Sequence, residues 1–424
     1  MLGWELPPHH TGGMGIVCYQ MCRQLARSGA EIEFVLPYTA DFSHIDFMRV
    51  NPSVPAGVEQ VLRLHSGGGS TYDSQYFEYV APDGTVRGTA MAEHQANYAQ
   101  YVARLVQLSE YDVIHAHDWL TFRAALAAKQ LSGRPLFVHI HSTEYDRAGG
   151  HSGNPLVREI EYIGLQLADK IFAVSEATKQ TIIREYGIAP EKIEVVHNAM
   201  EFQAHELHED RSDNAFRYLA RMREAGYGVV VSAGRLTIQK GLSHLLDAFR
   251  LVVDKRPKSL LLIVGPGEQY EELVEYAAEL GLSGNVLFTG HLNGTGKEWR
   301  DAFRVGDLFV MPSVSEPFGL TPFEALAQGT PVLISKQTGS SEILRHVLKV
   351  DYWDTREMAN HICAVLNNTA LADTLAEHGQ HELHQQNWKQ PVSHMMRHYH
   401  HHVRRNPHTR RAHHVSHKEA AYAV

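Results

Sequence analysis

Cysteine is scarce in this sequence, which has only Cys18, Cys22 and Cys363 among its 424 residues. Cys18 and Cys22 stand four positions apart on a predicted helix, a spacing that could hold a metal ion between them. The neighbouring sequence offers no third and fourth ligand, so we expect buried, reduced thiols instead. This cysteine usage fits a reducing cytoplasm, where we expect the protein to be located.

Long apolar runs and an excess of positive charge are also lacking. No segment approaches the ~18 apolar residues that a membrane span requires, and no basic-then-apolar leader follows Met1. The formal net charge of -9 leaves no basic footprint, which argues against nucleic acid as the main partner. The hydrophobic share of 44% and the charged share of 21% are typical of a soluble globular protein, here long enough for two domains.

Two common nucleotide-binding motifs are missing as well. The segment "PPHHTGGMG", with Gly12, Gly13 and Gly15, has the spacing G-G-x-G and does not match G-x-G-x-x-G. Leu36 and Pro37 end the next strand where a dehydrogenase would have an acidic residue, so a dinucleotide dehydrogenase is disfavoured. No G-x-x-x-x-G-K-[ST] motif occurs, which disfavours a P-loop enzyme. By itself, the glycine-rich loop could bind phosphate or form a simple turn.

Short apolar runs alternate with helical patterns along most of the chain. Because these runs show no polar alternation, they predict parallel strands covered on both faces, and therefore an α/β fold with two doubly wound sheets. In a first domain, residues 1–198, the predicted strands are Ile32–Leu36, Val113–Ala116, Leu136–Ile140, Lys170–Val174 and Ile193–Val196, with helices such as Ile16–Ser28 and Pro155–Ala168 between them. In a second domain, residues 199–387, they are Val229–Ser232, Leu260–Val264, Val286–Thr289, Leu308–Met311 and Pro331–Ile334.

The polar stretch Ala199–Gly226 separates these two runs. Ligands of doubly wound sheets bind outside the carboxyl ends of the strands, so two facing domains would place a ligand in the cleft between them. At the other end of the chain, residues 404–424 are rich in histidine and arginine and poor in apolar residues, and we expect them to be disordered. The histidines of the wider segment Met395–Val424 are scattered, so we expect no physiological metal site in that segment.

The stretch "SEPFGLTPFEALAQGTPV" follows the predicted strand Leu308–Met311 and leads into a helix. Thr321 and Glu324 have the spacing of a capping box, and Gly329 is placed to end the helix. A helix start at this edge presents free N–H groups to phosphate or sugar oxygens, and Gly319 would let a ligand approach the backbone. Glu316 before the helix and Glu324 inside it could bind hydroxyls on two parts of one ligand.

Two cations follow another predicted strand at the same edge of the sheet. Arg235 and Lys240 lie in "SAGRLTIQKG", just after Val229–Ser232. An isolated Arg–Lys pair is most often part of a solvated loop. Next to a helix start, however, two such cations could bind a diphosphate without a metal ion.

These segments together resemble the retaining glycosyltransferases of family 4, and within them the glycogen and starch synthase-like group. The resemblance is carried by "GWELPPHHTGGMG", "HAHDWLTF", "HIHSTEYDRAGG", "VVHNAM", "GRLTIQKG" and "SEPFGLTPFEALAQGTPV", and more weakly by "LKVDYWD". It implies the GT-B architecture: two Rossmann-like domains, a deep cleft, and a last helix, about residues 388–403, that crosses back to the first domain. The family normally has a full first strand before "GWE", whereas only Met1 and Leu2 precede Gly3 here.

The resemblance also implies roles for individual residues on the donor side. Arg235 and Lys240 match the pair that holds the donor diphosphate. Glu316 matches the acid that bonds the transferred sugar, and Glu324 the acid that bonds the ribose. The donor-binding motif further includes Phe318, Gly319, Leu320 and Thr321.

In the first domain, Gly12 and Gly13 match the loop that closes over the phosphates. His141 matches a histidine near the transferred sugar, although a lone histidine at a strand end is more often structural. His117 and Asp118 are expected on the cleft rim, with no role assigned to either. The catalytic set implied by the resemblance is therefore His141, Arg235, Lys240 and Glu316.

From this resemblance we expect a metal-independent, retaining hexosyltransferase without a cofactor. Its expected partners are a nucleotide sugar, ADP- or UDP-glucose, and an α-glucan acceptor. One alternative is a family 4 transferase that builds another glycoconjugate or a disaccharide. A second alternative, suggested by the short first strand, is a protein that binds nucleotide sugars without turnover.

Overall fold

The chain divides into two compact units in the computed structural model, which describes residues 1–7, 13–53, 60–66, 75–80, 86–89, 91–202, 215–292 and 296–406. Unit 1 comprises Met1–Glu144, Gly153–Ala199 and the described residues from Trp388 onward. Unit 2 comprises Tyr145–Ser152 and Met200–Asn387. The sequence placed the domain boundary at residues 198 and 199 and did not separate the segment Tyr145–Ser152.

Unit 1 is built on a parallel sheet with a small antiparallel sheet beside it in the chain. The parallel strands are β1 (Glu33–Leu36), β2 (Arg49–Pro52), β6 (Ile114–His117), β7 (Leu136–Ile140), β8 (Lys170–Ala173) and β9 (Ile193–Val195). The antiparallel strands, in the order β3-β4-β5, are β3 (Gln60–Ser66), β4 (Gln75–Val80) and β5 (Val86–Thr89). The sequence reasoning sought uninterrupted apolar runs and therefore missed this antiparallel sheet.

Met1–Gly3 occupy the position in this sheet where the family has its first strand. Leu2 forms parallel bridges to Val35 of β1 and to Ala116 of β6. Its backbone N–H donates to the carbonyl oxygen of His115 at 2.7 Å, and its carbonyl oxygen accepts from the N–H of His117 at 3.0 Å. Met1–Gly3 thus joins β1 to β6 and completes the sheet in the order β2-β1-(Met1–Gly3)-β6-β7-β8-β9.

Helices alternate with most of these strands along the chain. Those from Met1 to Ala199 are α1 (Gly13–Arg27), α2 (Met91–Leu108), α3 (Asp118–Ser132), α4 (Glu144–Arg147), α5 (Pro155–Leu167) and α6 (Glu176–Tyr186), of which α4 belongs to unit 2 except for Glu144. The last described helix, Lys389–Arg405, also belongs to unit 1. Trp388, which precedes it, is fully buried and donates from Nε1 to Oε1 of Gln20 at 3.2 Å. The ring of Tyr399 packs edge-on against Phe137 of β7, so aromatic burial attaches this helix to the sheet.

Unit 2 is a six-stranded, fully parallel sheet with helices between its strands. The strands are β10 (Gly228–Ala233), β11 (Ser259–Val264), β12 (Val286–Phe288), β13 (Leu308–Met311), β14 (Val332–Ser335) and β15 (Leu348–Val350). The helices are α7 (Arg217–Glu224), α8 (Leu242–Lys255), α9 (Tyr270–Glu279), α10 (Lys297–Arg304), α11 (Thr321–Ala327), α12 (Thr355–Asn367) and α13 (Thr369–Gln385), after which the unit 1 helix Lys389–Arg405 is α14.

The strand order in unit 2 is β12-β11-β10-β13-β14-β15. Counted from β10, this is the order 3-2-1-4-5-6 of a Rossmann sheet, in which the chain direction across the sheet reverses between the first and fourth strands. The residues of β10, β11, β13 and β14 are all buried, as expected for strands covered on both faces. This topology predicts a ligand crevice at the carboxyl ends of β10 and β13.

Most sequence-predicted strands agree with the structure to within one residue at either end. Leu136–Ile140 and Leu308–Met311 match exactly the observed bounds of β7 and β13. Of the predicted tail, residues 404 and 405 are the last two of α14, and Asn406 donates from Nδ2 to the carbonyl oxygen of Gly133 at 2.8 Å, so these residues are ordered, contrary to the prediction. The rest of the tail lies outside the described residues. In the part of the chain that is described, we find no helix with the length and hydropathy needed to cross a bilayer.

Candidate active site

The loop after β10 carries both sequence-predicted cations of unit 2. Gly234 leaves the strand, Arg235 follows with an exposed side chain, and a short 3-10 turn ends at Lys240. Gly241 then has φ of 63° and approaches the next loop so closely that a Cβ here would lie 2.3 Å from the carbonyl oxygen of Pro312. A side chain at this position would therefore push the β10 and β13 loops apart.

The loop after β13 brings Glu316 to Lys240. The Nζ atom of Lys240 forms an ion pair with Oε2 of Glu316, and the hydroxyl of Ser313 donates to the same oxygen at 3.2 Å. The two charged side chains are only 22% and 10% exposed, respectively. The backbone of Glu316 is held too, because its N–H donates to Gln337 and its carbonyl oxygen accepts from Gly339. An acid and a base are thus fixed side by side at the crevice that the strand order predicts.

A small cavity of about 10 Å³ lies at this point of the sheet. It is lined by the end of β10, by Gly234, Arg235 and Lys240 of the following loop, and by Met311 and Pro312 at the end of β13. The exposed guanidinium of Arg235 has no carboxylate partner among the residues that the structure describes. Arg235 can therefore bind an anion that enters from solvent.

The helix start in "GLTPFE" differs from the predicted capping box. The N-cap residue of α11 is Leu320, and Thr321 is already helical. The hydroxyl of Thr321 points to Sδ of Met311, at 3.4 Å, and no side chain caps the helix. The capping box was therefore wrong, although Gly329 ends the helix with φ of 74° as predicted. Glu324 lies half-buried in the first turn.

Gly319 and Phe318 shape the loop from inside the fold. Gly319 has φ of 84°, and a Cβ on it would lie 2.7 Å from Cε of Met311 and 3.0 Å from Cγ of Glu316. Glycine is therefore needed here for backbone conformation and for close packing on Glu316. Phe318 is buried and stacks on Phe323 at 5.6 Å, so its side chain is part of the core and is not presented to a donor. Gly319 thus packs against Glu316, and Phe318 attaches the loop to Phe323 of α11.

Asp146 is a candidate that the sequence reasoning missed. It belongs to the segment Tyr145–Ser152 of unit 2, and its Oδ1 accepts a hydrogen bond from the hydroxyl of Ser315 at 2.7 Å. Gly149 of the same segment lies against Ile238 of the 3-10 turn. The motif "HIHSTEYDRAGG" contains both residues, but nothing in its spacing indicated that they support the loops of Lys240 and Glu316.

Unit 1 places its predicted residues at the carboxyl ends of β6 and β7. His117 is the last residue of β6, Asp118 begins α3, and His141 directly follows β7. Asp118 has φ of 54°, and its Oδ1 accepts from the backbone N–H of His141 at 2.7 Å. A positive φ is unusual for a residue with a side chain, and this one holds the strand end at His141. Of the predicted glycines, Gly13 begins α1 and Gly12 lies outside the described residues.

Four imidazoles lie together beneath this edge: His115, His117, His139 and His141. Neighbouring rings are 4.6–5.6 Å apart between centroids, and His117 Nδ1 lies 2.9 Å from His141 Nε2. Burial lowers the pKa of His141 to about 3 and lowers the pKa of the other three well below the usual value. These histidines are therefore neutral at physiological pH, so they can exchange hydrogen bonds but carry no positive charge.

The structure confirms the prediction for Cys18 and Cys22 and shows which side chains lie near Cys18. Cys18 and Cys22 are free, buried thiols as expected, and burial raises the pKa of Cys22 to about 12. Cys18, however, lies in one group with His117 and His141, whose ligand atoms are within 4.8 Å of one another. The sequence could not indicate this group, because its members come from a helix and from two strand ends.

Two family models match the chain over consecutive ranges. The model described as "Glycosyltransferase Family 4" matches residues 11–203, and the model "Glycosyl transferases group 1" matches residues 222–382. An uncharacterized glycosyltransferase of Methanocaldococcus jannaschii is 27% identical over 356 residues, which cover 82% of each chain. A glycogen synthase of Mycobacterium tuberculosis is 26% identical over 347 residues, covering 81% of this chain and 78% of that protein.

Solved structures resemble the whole fold. A sucrose-phosphate synthase of Thermosynechococcus elongatus gives a TM-score of 0.69 at 19% identity and covers 94% of this chain and 98% of its own. The Anabaena protein HepE in complex with UDP-glucose gives 0.64 at 20% identity, with 93% and 98% covered. Taken with the family models and the strand order, these likenesses show that the chain belongs to glycosyltransferase family 4 and has the GT-B fold of two Rossmann-like domains.

Proposed function

We propose that this protein is a retaining hexosyltransferase that transfers glucose from ADP- or UDP-glucose to an α-glucan without a metal ion. One observation carries the proposal: Arg235, Lys240 and Glu316 lie together at the switch point of the unit 2 sheet, as two cations and one carboxylate. The similarity to a glycogen synthase supports the choice of acceptor.

The two cations account for stabilisation of the leaving group. When the bond between the sugar C1 and the diphosphate oxygen breaks, negative charge develops on the diphosphate. Arg235 offers a planar set of donors to two phosphate oxygens, and Lys240 supplies a point charge. Fixed positive groups of this kind stabilise the transition state without reorganising, usually the largest single contribution to catalysis. This arrangement assigns to side chains the role that a divalent cation has in other transferases.

The Lys240–Glu316 ion pair is compatible with donor binding. An ammonium group has three donors, so Lys240 can keep Glu316 and still bind a phosphate oxygen. A carboxylate has acceptor positions beyond those used by Lys240 and Ser313, so Glu316 can also accept from sugar hydroxyls. Glu324, one turn into α11, is assigned to the ribose by the same family pattern. The pair thus aligns the sugar with the diphosphate.

The proposed reaction keeps the anomeric configuration by front-face attack. The acceptor hydroxyl oxygen forms its bond to C1 on the face from which the diphosphate departs, and the acceptor proton moves to the departing phosphate oxygen. No carboxylate nucleophile is assigned. The family pattern places a histidine near the transferred sugar, and we assign that role to His141. Because burial lowers its pKa to about 3, His141 would act as a neutral hydrogen-bond partner.

The deciding experiment is a donor and acceptor panel. The protein is incubated with ADP-, UDP- and GDP-sugars together with glycogen, and the released nucleotide and the glycosidic linkage of the product are measured. Glucose transfer that extends glycogen through α-linkages supports the proposal. Turnover only with small sugar or sugar-phosphate acceptors would favour the alternative family 4 transferase. Saturable nucleotide binding without any product would favour a binding protein.

A further inference from the structure

A second cluster of potential ligands lies on the surface of unit 1, outside the candidate active site. His394 and His398 are four residues apart on α14, so both side chains lie on one face of the helix. Glu194 lies on β9, the edge strand of the sheet. The three side chains are 30%, 22% and 32% exposed, so an ion could reach them from solvent.

The distances between their ligand atoms are those of a metal site. The two Nε2 atoms are 3.1 Å apart, and those of His394 and His398 lie 3.6 and 3.8 Å from different oxygens of Glu194. A tetrahedral Zn²⁺ with bonds of about 2.0–2.2 Å separates its ligand atoms by about 3.4 Å. One ligand atom from each of the three residues lies within 4.8 Å of the other two, so shifts of about 1 Å or less bring them to tetrahedral spacing around one ion.

The residues around Glu194, His394 and His398 leave these three side chains able to bind a metal ion. Lys170, from β8, pairs with Oε1 of Glu194 at 2.7 Å, and Oε2 lies nearer to His394. One carboxylate oxygen can therefore keep the lysine while the other binds a metal ion. Burial lowers the pKa of His398 to about 4 and also lowers that of His394, so both imidazoles are unprotonated at neutral pH.

We propose that Glu194, His394 and His398 form a binding site for Zn²⁺ or a similar imidazole-preferring divalent cation. Two imidazoles and one carboxylate leave the fourth tetrahedral position to water. Because the ligands come from β9 and α14, the bound ion ties the last helix to the edge of the unit 1 sheet. The site is independent of the proposed sugar transfer, whose residues lie elsewhere in the chain.

The proposal is tested on the full-length protein with its purification tag removed, after treatment with a chelator. Zn²⁺ alone is titrated by calorimetry into wild type, the double variant His394→Gln/His398→Gln, and the matched control His378→Gln/His381→Gln. The control removes two exposed histidines from α13, on another histidine-rich surface. We expect one site in wild type and control, and at least about 100-fold weaker binding in the double variant, since two of three ligands are lost.

A further variant and two further measurements keep the test valid if the double variant misfolds. Glu194→Gln keeps both imidazoles and should weaken binding about 10-fold or more. Co²⁺ should give the visible absorption of a tetrahedral site in wild type and lose it in Glu194→Gln, while the far-UV circular dichroism is unchanged. Zn²⁺ should also raise the Tm of wild type and control only. Equal Zn²⁺ affinity in wild type, Glu194→Gln and the double variant would overturn the proposal.

Discussion

Both units have parallel strands whose carboxyl ends meet at one edge of the sheet, but the edge of unit 2 carries charged side chains and that of unit 1 carries neutral ones. In unit 2, the carboxyl ends of β10 and β13 carry Arg235, Lys240 and Glu316, which are charged side chains at an accessible pocket. In unit 1, the ends of β6 and β7 carry His117, which is buried, and His141, which is partly buried, and both rings pack against other imidazoles. One edge keeps charged groups, with Arg235 exposed and Lys240 and Glu316 largely shielded as an ion pair, and the other keeps its titratable groups neutral by burial.

This difference separates the tasks that each unit can perform. Fixed charges next to solvent can bind a diphosphate and stabilise charge that develops on it. Neutral imidazoles in a low-dielectric environment cannot do so, but they can orient a hydroxyl through hydrogen bonds. Burial also has a cost, because every neutral histidine favours unfolding when the pH falls. Unit 1 should therefore be sensitive to acid, and unit 2 should be sensitive to loss of individual charges.

The largest expected effect is acid destabilisation of unit 1. The four clustered histidines have folded pKa values below the usual value of 6.5. Below pH 6.5 the unfolded state binds protons that the folded state does not, so the stability that is fully present above pH 6.5 is lost as the pH falls. From pH 6.5 to 5.5 the loss is about 1 kcal/mol for each histidine, and hence about 4 kcal/mol in total.

Hydrogen exchange of the full chain, read by mass spectrometry, resolves the two units. We expect peptides of β6 and β7 to lose protection between pH 7 and 5.5, after correction for the intrinsic exchange rate, while peptides of β10 and β13 keep theirs. Equal loss in both sheets, or none in either, would contradict the contrast between the units.

The next largest effect is expected from Lys240→Ala. Loss of this cation should lower kcat by ~100-fold or more, because stabilisation of the departing diphosphate is lost. The matched control is Lys336→Ala, which removes another lysine that is paired with a carboxylate, Asp351, at 2.8 Å. Steady-state kinetics with the donor found in the panel should show near-normal kcat for the control. Near-normal kcat for Lys240→Ala as well would remove Lys240 from the proposed mechanism.

Glu316→Gln should have a smaller effect than loss of the cation. The amide keeps the size of the side chain but removes the charge that pairs with Lys240 and accepts from Ser313. We expect kcat/KM to fall about 10-fold or more, in line with loss of a charge-assisted hydrogen bond. Asp351→Asn, the same change in the Lys336 pair, is the control. If both variants lose activity equally, the effect comes from general destabilisation of unit 2.

The variant His139→Phe tests how much one buried histidine contributes to the acid sensitivity of unit 1. Neither ring nitrogen of His139 has a hydrogen-bond partner among the described residues, and the ring packs against Phe172. A phenyl ring fills this site without titrating, so the variant should take up about one proton fewer on acid unfolding. That changes the pH dependence of the free energy of unfolding by about 1.4 kcal/mol per pH unit. Chemical denaturation at several pH values measures it, and an unchanged slope would show that His139 does not titrate as argued.

The sequence predicted the sheets better than it predicted the site. Strands such as β7 and β13 are buried on both faces, and their uninterrupted apolar runs made them easy to place. Spacing alone could also put Arg235, Lys240 and Glu316 at one edge, because parallel strands end at the same side of a sheet. The antiparallel β3-β4-β5 sheet has no such run and was missed.

Contacts between segments that are distant in the chain could not be predicted from the sequence. Only Met1 and Leu2 precede Gly3, yet backbone hydrogen bonds of Leu2 to β6, and of Met1 and Gly3 to Val35 of β1, complete the sheet. Thr321 looked like an N-cap, yet the helix begins one residue earlier and its hydroxyl turns to Met311. Asp146 supports Ser315 across 169 positions of sequence. Such outcomes depend on tertiary packing, which local spacing does not record.

The smallest expected effect concerns metal ions, and it separates the two proposals made for this protein. Arg235 and Lys240 supply the positive charge that the diphosphate requires, so a chelator should leave the rate of sugar transfer unchanged. The same treatment should lower the Tm of protein that carries Zn²⁺ at Glu194, His394 and His398. Initial rates and thermal unfolding are measured on one chelator-treated sample, with and without added Zn²⁺ or Mg²⁺. Transfer that stops with chelator and returns with Mg²⁺ would show that the side-chain cations are insufficient. A Tm that falls with chelator in wild type but not in Glu194→Gln, at an unchanged transfer rate, would assign the metal to Glu194, His394 and His398 and leave the chemistry to the edge of unit 2.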